Sequence, residues 1–305
     1  MGVRLRSPLP LLALGVAVAA CRDTSAPPPL ALPPRELAFV SDRRFTQFDI
    51  YLMGTDGKLT NLTSTSLAYD GWPAWSPDGT RIAFESDRSA DPTHVSLNIY
   101  AMNVDGSNIV TLTADTTNSF EPAWSPNSST IAFGSDRDTL PDGSRRFHIF
   151  VMNPDGTGVT RLTNDAADDA QPAWSPGGTK IAFATNRDGN DEIYVMNADG
   201  TNPVNLTNNL ATDLAPAWSP DGTKIAFYSD RGGAAFSIYV MNADGTGVAR
   251  LTTSTLSDEL PAWSPDGRYI AFDRDADLYV MNADGSSVQQ LTRGGETDIM
   301  PRWQP

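Results

Sequence analysis

The string PAWSPDGTRIAF at residues 73–84 returns four times almost unchanged: PAWSPNSSTIAF from 122, PAWSPGGTKIAF from 172, PAWSPDGTKIAF from 216 and PAWSPDGRYIAF from 261. Repetition at this period means one small supersecondary unit stacked on copies of itself, because such a unit cannot bury its apolar faces alone. Four landmarks recur six times in fixed order. An apolar triplet ends at Phe39, Phe84, Phe133, Phe183, Phe227 and Phe272. An IYVMN-like run follows, then a Leu-Thr pair, then a Pro-x-Trp unit ending at Trp75, Trp124, Trp174, Trp218, Trp263 and Trp303. The Trp-to-Trp spacings are 49, 50, 44, 45 and 40 residues.

Each landmark reads as a short strand, rich in β-branched and aromatic residues and bounded by turn residues. SPDGT places Ser first, Pro second and Gly fourth, as a type I turn followed by a positive-φ residue requires, and NADGT repeats that chemistry with Asn leading. Nothing carries the 3.6-residue period of a long helix. Four-stranded units of 40–50 residues in six copies predict an all-β, six-bladed β-propeller. The expected blades are residues 36–63 with 299–305, then 70–113, 119–163, 169–207, 213–252 and 258–292. In this scheme the tryptophans wedge between blades, Ala83 and its equivalents allow close sheet packing, and the C-terminal strand completes the first blade, leaving no free edge.

These residues carry a family resemblance. The pattern PAWSPDGTxIAFxSDR…IYVMNADGTxxxxLT, over residues 36–305, resembles the PD40 (WD40-like) repeat of TolB-type propellers, related to those in front of some prolyl peptidases. The resemblance implies the propeller fold. TolB itself has an α/β domain ahead of its propeller, where this sequence places only a Pro-rich linker. The prolyl peptidases add a hydrolase domain for which no residues remain here.

Ahead of the repeats, Arg4 and Arg6 precede the apolar run LLALGVAVAA at 11–20. Ten apolar residues are too few to span a bilayer, which needs roughly 20, so residues 1–20 read as an export signal. VAAC, ending at Cys21, resembles the lipobox of bacterial lipoproteins, in which the Cys is lipidated. It is the sole cysteine, so an intrachain disulfide is excluded. RDTSAPPPLALPPR at 22–35 has five prolines and favours extended polyproline II, a semi-rigid tether of roughly 40 Å at about 3.1 Å per residue. The expected location is the bacterial cell envelope, periplasmic side or cell surface, with the lipid as sole membrane contact and the propeller monomeric. A net charge of -15 argues against nucleic acid and anionic lipid surfaces as partners.

Catalytic chemistry leaves few traces. There is no Gly-x-Ser-x-Gly elbow, no His-Glu-x-x-His and no Walker-type phosphate loop. The two histidines, His94 and His148, stand before third strands in consecutive blades, a poor basis for a Ser–His–Asp triad. Carboxylates are abundant. Three residues before the Pro of each Pro-x-Trp unit stand Asp70, Ser119, Asp169, Asp213, Asp258 and Asp298, which should ring one channel mouth. Emerging at the same end from the second strands are Arg43, Arg88, Arg137, Arg187, Arg231 and Arg274. Two readings stand: each Asp is fastened to an Arg, or free carboxylates hold a cationic ligand or a hard cation such as Ca²⁺. An Arg–Asp contact in every blade decides for the first.

Asymmetry lies in the connections. The stretches at 86–98 and 135–148 are the longest between second and third strands, and NDAADDAQ at 164–171 is strongly acidic. Together they should form one binding sector carrying His94, Arg145, Arg146, His148, Asp165 and Asp168. The expected role is a non-enzymatic envelope module that binds a protein, peptide or glycan and needs no cofactor. The alternatives are a metal-dependent propeller enzyme, a polysaccharide lyase or hydrolase working in the channel, or an accessory subunit of a separate catalytic protein.

Overall fold

The computed structural model describes residues 35–43, 47–88, 96–114, 116–138, 143, 145–233 and 235–305. Its 24 strands form six antiparallel four-stranded sheets, each running in sequence order from an inner first strand to a short outer fourth strand. Consecutive first strands touch one another round the ring and enclose the channel. The exception to chain order closes the circle. Strand Asp298–Trp303 pairs with Leu37–Ser41, so the final strand is the inner strand of the first blade. Thr297 N–H donates to Asp42 Oδ1 (2.7 Å) and Gln304 N–H to Glu36 O (2.9 Å), fastening that seam at both ends.

The core lies between blades. Phe39, Phe84, Phe133, Phe183, Phe227 and Phe272 are completely buried, and each packs on the aromatic ring opposite it on the third strand, as Phe84 does on Tyr100 at 5.8 Å between centroids. Three tryptophans hydrogen-bond to the preceding blade: the indole N–H of Trp75 donates to Arg302 O (3.0 Å), that of Trp218 to Ala173 O (3.2 Å) and that of Trp263 to Ala217 O (3.2 Å). In the turn at 76–79, Gly79 has φ 68° and its N–H donates to Ser76 O at 2.8 Å. The outer-turn glycine does a second job. At Gly245 (φ 84°), an added Cβ would lie 2.7 Å from Leu206 O of the neighbouring blade, so both conformation and close approach require glycine.

The Thr of each Leu-Thr pair ties the fourth strand back to the third: Thr63 Oγ1 accepts the Ile50 N–H (3.0 Å) and Thr113 Oγ1 the Ile99 N–H (2.9 Å). Fourth strands of only two or three residues keep the outer edges short, which discourages edge-to-edge pairing. Cys21, the export signal and the Pro-rich tether fall outside the described residues.

Candidate functional site at the two mouths of the channel

Each first strand begins at one mouth of the channel and ends at the other. At the starting mouth the repeated Asp and Arg meet. Arg88 Nη2 donates to Asp70 Oδ1 (2.5 Å) while its Nε donates to Ser86 Oγ (3.0 Å), and the guanidinium lies over the Phe84 and Tyr100 rings at 5.0 and 5.4 Å. The unit recurs as Arg187–Asp169 at 2.9 Å and Arg231–Asp213 at 2.6 Å, and as the contacts Arg274–Asp258 and Arg43–Asp298. In the third blade Arg137 Nη2 donates to Ser119 Oγ instead (3.0 Å). All five Asp are buried, and burial outweighs Arg88 enough to push the Asp70 carboxyl above its ordinary range. These groups therefore form inter-strand clasps. They do not stand as a ring of free carboxylates, and among the described residues no three His, Cys, Asp or Glu side chains are grouped to hold a metal.

The loop sector above the clasps is partly assembled. Arg146 faces Asp168 at 3.6 Å, Arg187 reaches Asp165 at 2.7 Å, and Asp168 Oδ1 accepts the Phe147 N–H at 3.0 Å, joining the connections of the third and fourth blades. Arg145 Nη1 donates to Asp136 O at 3.3 Å. His148 corrects an expectation. It is not on the loop surface but opens the strand His148–Met152 and is wholly buried, with Nδ1 3.6 Å from Asp169 Oδ2, so it cannot meet a partner. The register explains this: the first residue of a third strand is a polar position under the clasp, filled by Asp49, Asn98 and Glu192 in other blades. His94 lies outside the described residues.

The opposite mouth was not singled out by sequence reasoning. In every blade the residue before the Pro sits in a β-bulge with positive φ: Trp72, Glu121, Gln171, Ala215, Leu260 and Met300, at 46–58°. A bulged N–H has lost its ladder partner and needs another acceptor. In four blades a side chain of the preceding blade supplies it. Glu121 N–H donates to Glu85 Oε2 (2.8 Å), Gln171 N–H to Glu121 Oε2 (2.6 Å), Ala215 N–H to Gln171 Oε1 (2.8 Å) and Met300 N–H to Asp273 Oδ1 (3.5 Å). Tyr69 O–H also donates to Glu85 Oε1 (3.0 Å).

Burial governs the ionisation of these channel acids. It lifts Glu85 to about 7. Burial, with the charge of Glu85 added, lifts Glu121 to about 8, and burial with that of Glu259 lifts Asp273 to about 8. Burial also lowers Arg302 to about 10, against the opposing pull of Asp273 and Glu121. Beyond the relay the channel opens into a cavity of about 380 Å³, collared by prolines and by Trp75, Trp124, Trp218, Trp263 and Trp303. Trp72, Glu121, Gln171 and Arg302 line its inner part. Its chemistry is apolar and aromatic with a few polar groups, the usual make-up of a ligand site.

Comparison with known proteins agrees with the fold. Residues 168–276 match the family described as PD40, TolB beta propeller domain. The structure of TolB from Acinetobacter baumannii aligns with a TM-score of 0.75 at 23% identity, covering 89% of this chain and 67% of that one. Putative TolB from Agrobacterium tumefaciens aligns with a TM-score of 0.66 at 21% identity, over 89% and 99% of the two chains. Oligogalacturonate lyase from Vibrio parahaemolyticus aligns at 0.59 and 16% identity, over 85% and 75%. No curated protein matches the sequence. The fold throughout is a six-bladed β-propeller similar to that of the TolB structures, and residues 168–276 match the TolB beta propeller family in sequence.

Proposed function

We propose that this propeller is a non-enzymatic module of the bacterial cell envelope, lipid-anchored through Cys21 and monomeric, that holds a protein, peptide or glycan at its loop-rich face. The observation that carries this reading is the fate of the abundant carboxylates. Five repeated Asp are buried under Arg, and the catalytic alternative would have needed them free. At the Asp end of the channel Leu67, Leu210 and Leu256 stand exposed on three separate connections that enter first strands, and Arg146 pairs with Asp168 in the loop sector. Loops held by a rigid scaffold are where binding residues concentrate.

Chain direction supports the same face. Glu36 enters the propeller beside Gln304, at the Trp-turn mouth, so the chain leading from Cys21 joins the propeller at the end opposite the loop-rich face. Affinity capture from the native envelope, with and without EDTA, tests the reading. A partner retained in both conditions is the expected result. A bound metal accompanied by turnover of a polysaccharide would overturn it in favour of the lyase or hydrolase alternative.

A further inference from the structure

We propose that the Trp-turn mouth of the channel is a second binding site, one that takes the free carboxylate of an apolar peptide end on Arg302. The inference rests on the binding-module reading and adds a site on the opposite face. Its starting point is a break in the repeat. The residue between Pro and Trp is Ala74, Ala123, Ala173, Ala217 and Ala262 in five blades and Arg302 in the sixth, and all six line the cavity. One blade thus projects a guanidinium where the others present a methyl group.

That guanidinium is uncommitted. Arg43, Arg88, Arg187, Arg231 and Arg274 each hold an Asp, whereas Arg302 makes a single hydrogen bond, Nη1 to Pro301 O at 2.8 Å. It lies over the Trp72 ring at 5.5 Å, and no carboxylate stands in ion-pair contact with it among the described residues. Stacking holds the plane and leaves the remaining N–H donors of a five-donor fork for a carboxylate, the partner whose geometry matches it.

The nearby acids Glu121 and Asp273 act on Arg302 through space but make no ion-pair contact with it. Glu121 is occupied with the Gln171 N–H and Asp273 with the Met300 N–H. Burial raises the carboxyls of Glu121 and Asp273 to about 8 and raises those of Glu85 and Glu259 as well. About 380 Å³ walled by indole, proline and alanine accepts one or two apolar residues. A polyhydroxylated acidic sugar would find few partners there beyond Glu121 and Gln171.

The probe is the tripeptide acetyl-Ala-Pro-Leu with a free carboxylate, followed by quenching of the tryptophan collar at pH 7, alongside its C-terminal amide and digalacturonate. The carboxylate should bind, and both the amide and the Arg302→Ala variant should weaken binding at least about tenfold, the loss expected for a charged hydrogen-bonded group. Arg302→Ala restores the residue of five sister blades, and an unchanged melting temperature shows that it folds. Equal binding of acid and amide, full binding by the variant, preference for digalacturonate, or no binding of the acid would each overturn the proposal. Envelope capture by folded Arg302→Ala separates the two readings, since a partner on the loop-rich face would still be retained.

Discussion

The two mouths of the channel are made by opposite ends of the same six first strands, yet they differ in how they treat charge. At the Asp end, charge is dense and repeated: in five blades an Arg packed over aromatic rings contacts the buried Asp across strands. At the Trp end, charge is sparse: the bulge residue differs in every blade and only Glu121 among the six is charged, while the residue before Trp is Ala in five blades and Arg302 in the sixth. Repetition serves the ring, and a ligand site needs asymmetry. The densely charged mouth repeats one clasp in five blades, and the apolar mouth carries one guanidinium, that of Arg302, with no sister.

The contrast can be broken most severely at the clasps. Arg231→Met should cost about 3 kcal/mol in urea unfolding, because it strands the buried Asp213 carboxylate without its cation. The matching Arg137→Met should cost clearly less, since its first-strand partner is the neutral Ser119. Equal losses would mean that ring stacking, and not the ion pair, holds the clasp. At the turn end the constraint is steric. Gly245→Ala should cost about 2 kcal/mol, from positive φ and the Leu206 carbonyl together, against about 1 kcal/mol for Gly57→Ala, where φ is 78° but nothing lies within 4 Å.

Smaller effects sharpen the account of the channel. Glu85, Glu121 and Asp273 titrate in the folded protein well above their ordinary 4.5, 4.5 and 3.8. The folded state thus keeps protons that the unfolded chain releases. Their contribution is complete below about pH 4 and is lost as pH rises to about 8. Asp273→Asn should flatten that decline and raise stability at pH 8 by on the order of 1 kcal/mol, with little change at pH 4. A pH profile identical to the parent would remove Asp273 as its source. The least change belongs to Arg302→Ala, whose unfolding free energy should move by less than about 1 kcal/mol, the worth of a cation–π contact. A large loss there would make Arg302 a structural residue.

The fold was legible because its determinants are local and sixfold. Hairpin turns, wedge tryptophans and the closing strand can each be read from short strings repeated in register. The Asp–Arg clasp was legible as one of two readings, since spacing brings the residues to one end without saying whether they touch. His148 was misplaced because length made its segment look like loop, while its register position marks a buried polar site. The acid relay was out of reach: the hydrogen bond from Glu121 to Glu85 crosses 36 residues and depends on a bulge that places an N–H in the channel. One signal for the mouth was present, the single Arg among five Ala between Pro and Trp. It stood out only once that position was known to line a cavity.

The seam between Asp298–Trp303 and Leu37–Ser41 also sets an order in time. As the chain emerges from synthesis, five blades receive all four of their strands within a stretch of some fifty residues. The blade begun first must wait for the last strand to be made. Until then its strand at 37–41 presents an open hydrogen-bonding row, and the circle has a gap the width of one strand. Loss of a few C-terminal residues would leave the whole ring unlatched, so the final residues act on the oldest part of the molecule.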